Sequence, residues 1–311
     1  TGIITTTNSL VESEANGLLG GFSPVSLPNG AYVVPAPGYG NTDTGAVRLC
    51  AGNGLDCVGL FSAGPLLQGS KAGDQIGSNG VIRLPTGHFV VHSPEWDNDN
   101  AVNAGALTWC DGNSGCPGIV SPANSLVGTT ANDRVGGTAP TPVIESSFVV
   151  VHNQWDNSGA PDSGAVSWCS SYYSFCRGPL STANSVPATT AGGGSELTNR
   201  YHAGSHRLAV GRPGDQIVTM FADPFNRPPV AIQLQPAAIA ENAPISTVAG
   251  LLATDDPDSL VNGSDTFTYT LVAGDGDSDN GYFAIVGSEL RSTAALDFES
   301  SPSRAVRIRT T

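Results

Sequence analysis

The sequence predicts an all-β protein, and three observations carry that prediction. Short β-branched runs such as Tyr32-Val33-Val34 and Phe89-Val90-Val91 are bounded by Gly, Pro, Asn and Asp, and no stretch holds a convincing helical period. One passage recurs: Ala31-Tyr32-Val33-Val34 returns as His88-Phe89-Val90-Val91, as Phe148-Val149-Val150-Val151 and, weakly, as Arg207-Leu208-Ala209-Val210. The spacing of roughly 60 residues marks a repeat architecture. The 6 cysteines fall in close pairs, each pair beginning at the same place in the repeat.

Within a repeat the parts keep one order. An apolar strand is followed by a loop of Pro, Gly, Asp and Asn, then by a second strand: Gly45 to Cys50, Gly105 to Cys110, Gly164 to Cys169. A third motif follows, Asn124-Ser125-Leu126-Val127 in one copy and Asn184-Ser185-Val186 in the next, closing on Asp133-Arg134-Val135-Gly136 or Asp74-Gln75-Ile76-Gly77. The chain opens on Asn8-Ser9-Leu10-Val11, a closing part without an opening one, while Leu208 to Phe221 is an opening part without a closing one. That phase predicts a β-propeller of four blades shut by its N-terminal strand. The blades are expected at 23–77, 78–135 and 136–196, with a composite of 197–222 and 1–22; the competing reading is a piece of a longer repeat array.

Composition narrows the class. Only 13% of residues are charged and the net charge is −14, which argues against nucleic acid and anionic membrane as partners because phosphate binding needs basic patches. No run approaches 18 apolar residues, so no membrane span is expected, and no intact signal peptide opens the chain. Six cysteines allow fifteen connectivities, but the repeat selects Cys50 with Cys57, Cys110 with Cys116 and Cys169 with Cys176, each across one turn. Disulfides imply an oxidising, extracellular setting, and pairs on separate blades do not converge on a zinc site.

The run Val81-Ile82-Arg83-Leu84-Pro85-Thr86-Gly87-His88-Phe89-Val90-Val91-His92-Ser93-Pro94, with Trp96-Asp97-Asn98 and Gly105-Ala106-Leu107, resembles an FG-GAP propeller blade of the integrin and bacterial surface-protein type. The resemblance covers about 1–222. It implies calcium loops in some blades, for which Asp97 and Asp99 are candidates beside their plainer role in an Asx-rich turn.

After a linker at 223–229 the repeat stops. Ala240-Glu241-Asn242-Ala243-Pro244, Val248 to Asp258, Phe267-Thr268-Tyr269-Thr270-Leu271 and Leu296-Asp297-Phe298-Glu299 occur in the order of a bacterial cadherin-like domain, which 230–311 resembles. The resemblance implies a Greek-key β-sandwich with calcium at both ends: Asn226, Asp256 and Asp258 at the N-terminal junction, Glu241, Asp297 and Glu299 at the other. Arg227 departs from the family's acidic linker, and the sandwich is expected to be one strand short at Thr311, through truncation or as an open edge for a partner strand.

No phosphate loop, nucleophile elbow or helical His-Glu metal motif is present. His92 and His152 fall at one repeat position and read as structural, and His202 and His206 read as polar loop residues, with a shared metal as the alternative. The expected function is therefore not enzymatic: a secreted surface or matrix protein with calcium as its cofactor, working by adhesion or self-association, with itself, other surface proteins or polysaccharide as partner, and able to form filaments by strand complementation. The alternative is an extracellular propeller enzyme or lectin, for which Trp96 and Trp155 in equivalent loops would supply an aromatic platform.

Overall fold

The computed structural model of the chain describes residues 3–13, 17–52, 57–170, 176–222, 224–225, 229–256 and 266–311. The protein is all-β and divides into two units, Thr1–Phe225 and Asn226–Thr311.

In the first unit each repeat builds one antiparallel sheet. An inner strand, Tyr32–Ala36, Phe89–Ser93 or Ser147–His152, pairs with a return strand, Ala46–Cys50, Ala106–Cys110 or Ala165–Cys169. Closing strands Leu66–Gln68, Leu126–Val127 and Val186–Pro187 then add antiparallel to the return strands. The fourth sheet has three strands: Thr198–His202, Arg207–Arg212 and Ile217–Ala222.

Alternation explains why the inner strands are apolar at successive positions. Successive side chains point to opposite faces of a sheet. Phe89 and Val91 join the core shared with the first repeat, whereas Val90 joins the core shared with the third. Phe148 and Val150 likewise face back, and Val149 faces forward. Each of the first three sheets is thus buried on both faces, and four cores run in series: residues 10–19 against the first repeat, first against second, second against third, third against fourth.

Two backbone devices tie neighbours together. Closing strand Leu126–Val127 pairs parallel with Gly178–Pro179 of the third repeat, as Leu66–Gln68 does with Gly118–Ile119 of the second. The buried carboxylate of Asp133 accepts from the backbone N–H of Thr129 and Thr130 at 2.8 Å and, across the junction, from that of Asp156 at 3.0 Å. Asp74 does the same with Ser70, Lys71 and Asp97. The glycine opening each return strand is required by crowding. Gly105 has φ +77°, and a Cβ there would meet the Val135 backbone nitrogen at 2.4 Å.

Among the described residues no strand pairing closes the expected ring. Among the described residues Leu10–Val11 pairs parallel with Gly59–Leu60, and Ile217–Ala222 ends its sheet with Arg207–Arg212 as its one neighbour. None of the sheets closes into a barrel. The N-terminal piece makes the same forward parallel contact as Leu66–Gln68 and Leu126–Val127, and among the described residues no strand pairs with its other edge.

His92 and His152 are also placed differently from expectation. Phe89 lies opposite Cys110 and Phe148 opposite Cys169, so Phe89 matches Phe148, and His152 matches Ser93 instead of His92. The one-residue shift puts the two rings on opposite faces. His92 faces forward with Val90 and His152 faces back with Phe148 and Val150, so both enter the junction between the second and third repeats.

The second unit packs a four-stranded sheet, in the order Ala231–Gln235, Val248–Asp255, Glu289–Ser292, Phe283–Val286, against the pair Tyr269–Leu271 and Ile308–Thr310. Ala249, Phe283, Leu290 and Leu296 form its core, with Ile239, Leu271 and Ile308 against them. Thr254 bridges the sheets, its hydroxyl lying 3.0 Å from the Tyr269 hydroxyl and 2.9 Å from that of Thr310.

Two outcomes follow from the junctions. Asp133→Ala strips three backbone N–H groups of their acceptor and is expected to cost about 3 kcal/mol, read as a lowered denaturation midpoint. Burial depresses the pKa of His92 to about 4 and of His152 to about 3. The unfolded chain takes up these protons near pH 6.5 and the folded one does not, so stability falls as pH drops from about 6.5 toward 4, by about 3 kcal/mol for His92 alone. His92→Val, which installs the residue that Val151 supplies in the third repeat, should flatten that slope in a melting series across pH.

Candidate metal centre

Among the described residues one group of carboxylates is arranged to hold a cation: Glu241, Asp297 and Glu299, each with an oxygen within 4.8 Å of the others. Two loops of the second unit deliver them. Ile239 and Leu296 pack on the unit's core and fix the loop roots. The Asn242 backbone N–H donates to the Leu296 carbonyl at 2.9 Å, placing Glu241 beside Asp297. The turn after Asp297 is closed by its own carboxylate, whose Oδ1 accepts from the Glu299 backbone N–H at 3.0 Å and from that of Ser300 at 3.4 Å.

Hydrogen bonds from Ser300, and then from Glu299, hold the Asp297 carboxyl below the usual carboxylate range, so it is ionised at neutral pH. All three residues are exposed. A donor set made only of hard oxygens suits Ca²⁺ or Mg²⁺ and disfavours soft metals. Beside the cluster lies a cavity of about 430 Å³, whose wall includes Ile239, Glu241, Phe283, Leu296, Asp297 and Arg304.

Of the other sequence candidates, those among the described residues are not part of this cluster. Asn226 and Asp258 lie outside the described residues, and Asp256 is buried at the end of the strand Val248–Asp255, apart from the trio. Asp97 is a loop staple: its Oδ1 accepts from the Asn103 backbone N–H at 2.8 Å. Asp99, at φ +52°, accepts through its carbonyl from the Lys71 ammonium. Neither forms part of a carboxylate cluster among the described residues.

Trp96 and Trp155 present no aromatic platform. They are 4% and 5% exposed and belong to the cores of successive junctions. Each sits in a turn in which its backbone N–H donates to the carbonyl of Ser93 or His152, which folds the indole inward.

The cysteines pair as expected: Cys50–Cys57, Cys110–Cys116 and Cys169–Cys176, with Cα separations of 5.4, 4.9 and 5.4 Å. Sequence reasoning missed the Asp74 and Asp133 staples. Their signal was present, since both residues recur at the close of a repeat, but a recurring Asp does not say which backbone groups it serves.

No curated protein matches the chain. Neither an FG-GAP nor a cadherin family is identified in it. Residues 26–78, 83–137 and 143–194 each match one family, and those stretches coincide with the three sheets that carry a disulfide hairpin. Together they span just over half of the 311 residues, and the chain belongs to that family, described as a repeat of unknown function, DUF5650.

Proposed function

We propose that the chain is a secreted structural or adhesive protein, a component of a cell surface or extracellular matrix, whose second unit is stiffened by calcium. The observation that carries this reading is the cluster of Glu241, Asp297 and Glu299, three carboxylates held together by an interloop hydrogen bond. Like charges at this spacing repel, and a divalent cation turns that repulsion into attraction. The resemblance of 230–311 to cadherin-like domains, and of 1–222 to FG-GAP blades, points the same way.

Three disulfides support an oxidising extracellular setting, and among the described residues no helix is long and apolar enough to cross a membrane. A stack of sheets, each covering its neighbour, favours work by association, with further copies, other surface proteins or polysaccharide as partners, over chemistry. The burial of Trp96 and Trp155 takes away the platform on which a lectin or polysaccharide-enzyme reading drew.

Calcium binds only where the two loops are folded together, so it stabilises the folded unit, by about 2.7 kcal/mol at one hundred times its dissociation constant. The melting transition of Asn226–Thr311 is expected to rise in millimolar calcium while that of the first unit stays in place, as followed by calorimetry. The double variant Asp297→Asn, Glu299→Gln should abolish the rise. A transition of the unsubstituted protein that ignores calcium would refute the calcium reading.

A further inference from the structure

At the first-to-second and second-to-third junctions a closing strand is paired on both edges, whereas Val186–Pro187 has only its antiparallel partner among the described residues. Leu67 lies antiparallel opposite Val47 and parallel opposite Gly118; Leu126 lies antiparallel opposite Leu107 and parallel opposite Gly178. Leu10 is the matching residue of the N-terminal piece. It keeps the parallel partner, Gly59, and among the described residues has no antiparallel one. Ile217–Ala222 is the matching return strand of the fourth sheet and lacks a closing strand. One complete junction is therefore present as two open halves.

The forward face of the fourth sheet has the same character. By register with Val150 opposite Ser167 and Val210 opposite Thr219, Val218 matches Val47, Leu107 and Val166, and Met220 matches Leu49, Trp109 and Trp168. In the first three repeats these residues pack into the next core. In the fourth, Val218 is 70% exposed and Met220 55%. Apolar side chains beside an unpaired edge form a template for strand addition. Two exposed arginines, Arg200 and Arg207, share the face in a chain of net charge −14, which suits an acidic partner.

We propose that the occupant is a second copy of this chain. Its Leu10–Val11 adds antiparallel to Ile217–Ala222, with Leu10 opposite Val218 and Val11 opposite Ile217, the register of Leu126 opposite Leu107 and Val127 opposite Ala106. Among the described residues no pairing or core joins the two halves within one copy. The contact is head-to-tail, so it continues from copy to copy. It rests on the self-association reading above and gives it a surface.

The test is a cysteine pair, Leu10→Cys with Val218→Cys, oxidised mildly and run on a non-reducing gel beside light scattering of the parent protein. Directly opposed residues in an antiparallel pair bring their Cβ atoms to about 5 Å, within reach of a disulfide. A ladder of multimers, present only with both cysteines, is expected. A cross-link within single chains would show ring closure and overturn the proposal. Assembly without the cross-link would overturn this docking and leave self-association standing, whereas a monomer at every concentration would overturn both. As a second readout, Met220→Glu, at an exposed position, should leave the circular dichroism spectrum unchanged and weaken assembly at least tenfold; unchanged assembly would count against the surface.

Discussion

The structure of the first unit depends on one constraint: its sheets are apolar on both faces. A sheet that must hide Val90 on one side and Phe89 and Val91 on the other cannot stand alone, and the chain answers by laying the next repeat on it. The disulfide hairpins, crowded glycines and aspartate staples follow from keeping those layers in register. Gly105 lets the Arg134-Val135 backbone approach, the resulting bridge brings Asp133 against the next repeat, and its carboxylate caps a backbone N–H there that side chains alone would leave unpaired. Stability in such a stack is approximately a sum over layers and the contacts between neighbours.

That constraint also decides which polar groups the junctions accept. Asp133 is buried with its carboxylate saturated by N–H donors, yet desolvation still raises its pKa, outweighing the donors from Thr130, Asp156 and Thr129. The histidines of the same junction are accommodated in the opposite way, as neutral rings, with His152 Nε2 3.2 Å from the Ser167 hydroxyl. In the weakly acid range the two effects have opposite signs. Protonating Asp133 relieves a buried charge, while withholding protons from His92 and His152 costs stability, and the larger histidine shifts set the net direction.

The period, the all-β class and the disulfides were legible in the sequence because each is local: a turn between Cys110 and Cys116 needs nothing beyond its own residues to be closed. What failed to show were properties fixed by pairing at a distance. Aligned by eye, Phe148-Val149-Val150-Val151 slides one residue against His88-Phe89-Val90-Val91, and only the strand opposite, through Cys110 and Cys169, sets the true register and hence the face each histidine takes. The matching halves at Leu10 and Leu208 to Phe221 were visible too, but complementarity does not say whether two edges meet within one chain. The sequence had already grouped Glu241, Asp297 and Glu299 through the resemblance to a cadherin-like domain, and the structure supplies the physical reason, since Ile239 and Leu296 share a core at the roots of their loops.

The two faces at the ends of the stack are unequal, and that inequality gives the protein a direction. On the backward face of the first sheet, Val34, Ala36 and Phe61 lie buried under Leu10 and Leu19, so a half-repeat already shields the apolar layer. On the forward face of the fourth sheet Val218 and Met220 are exposed, although Leu208 and Val210 on its other side are fully packed into the preceding junction. A stack shielded at one end and apolar at the other favours contacts that pair unlike ends. In the proposed assembly such contacts are heterologous and would continue from copy to copy instead of closing into a symmetric dimer.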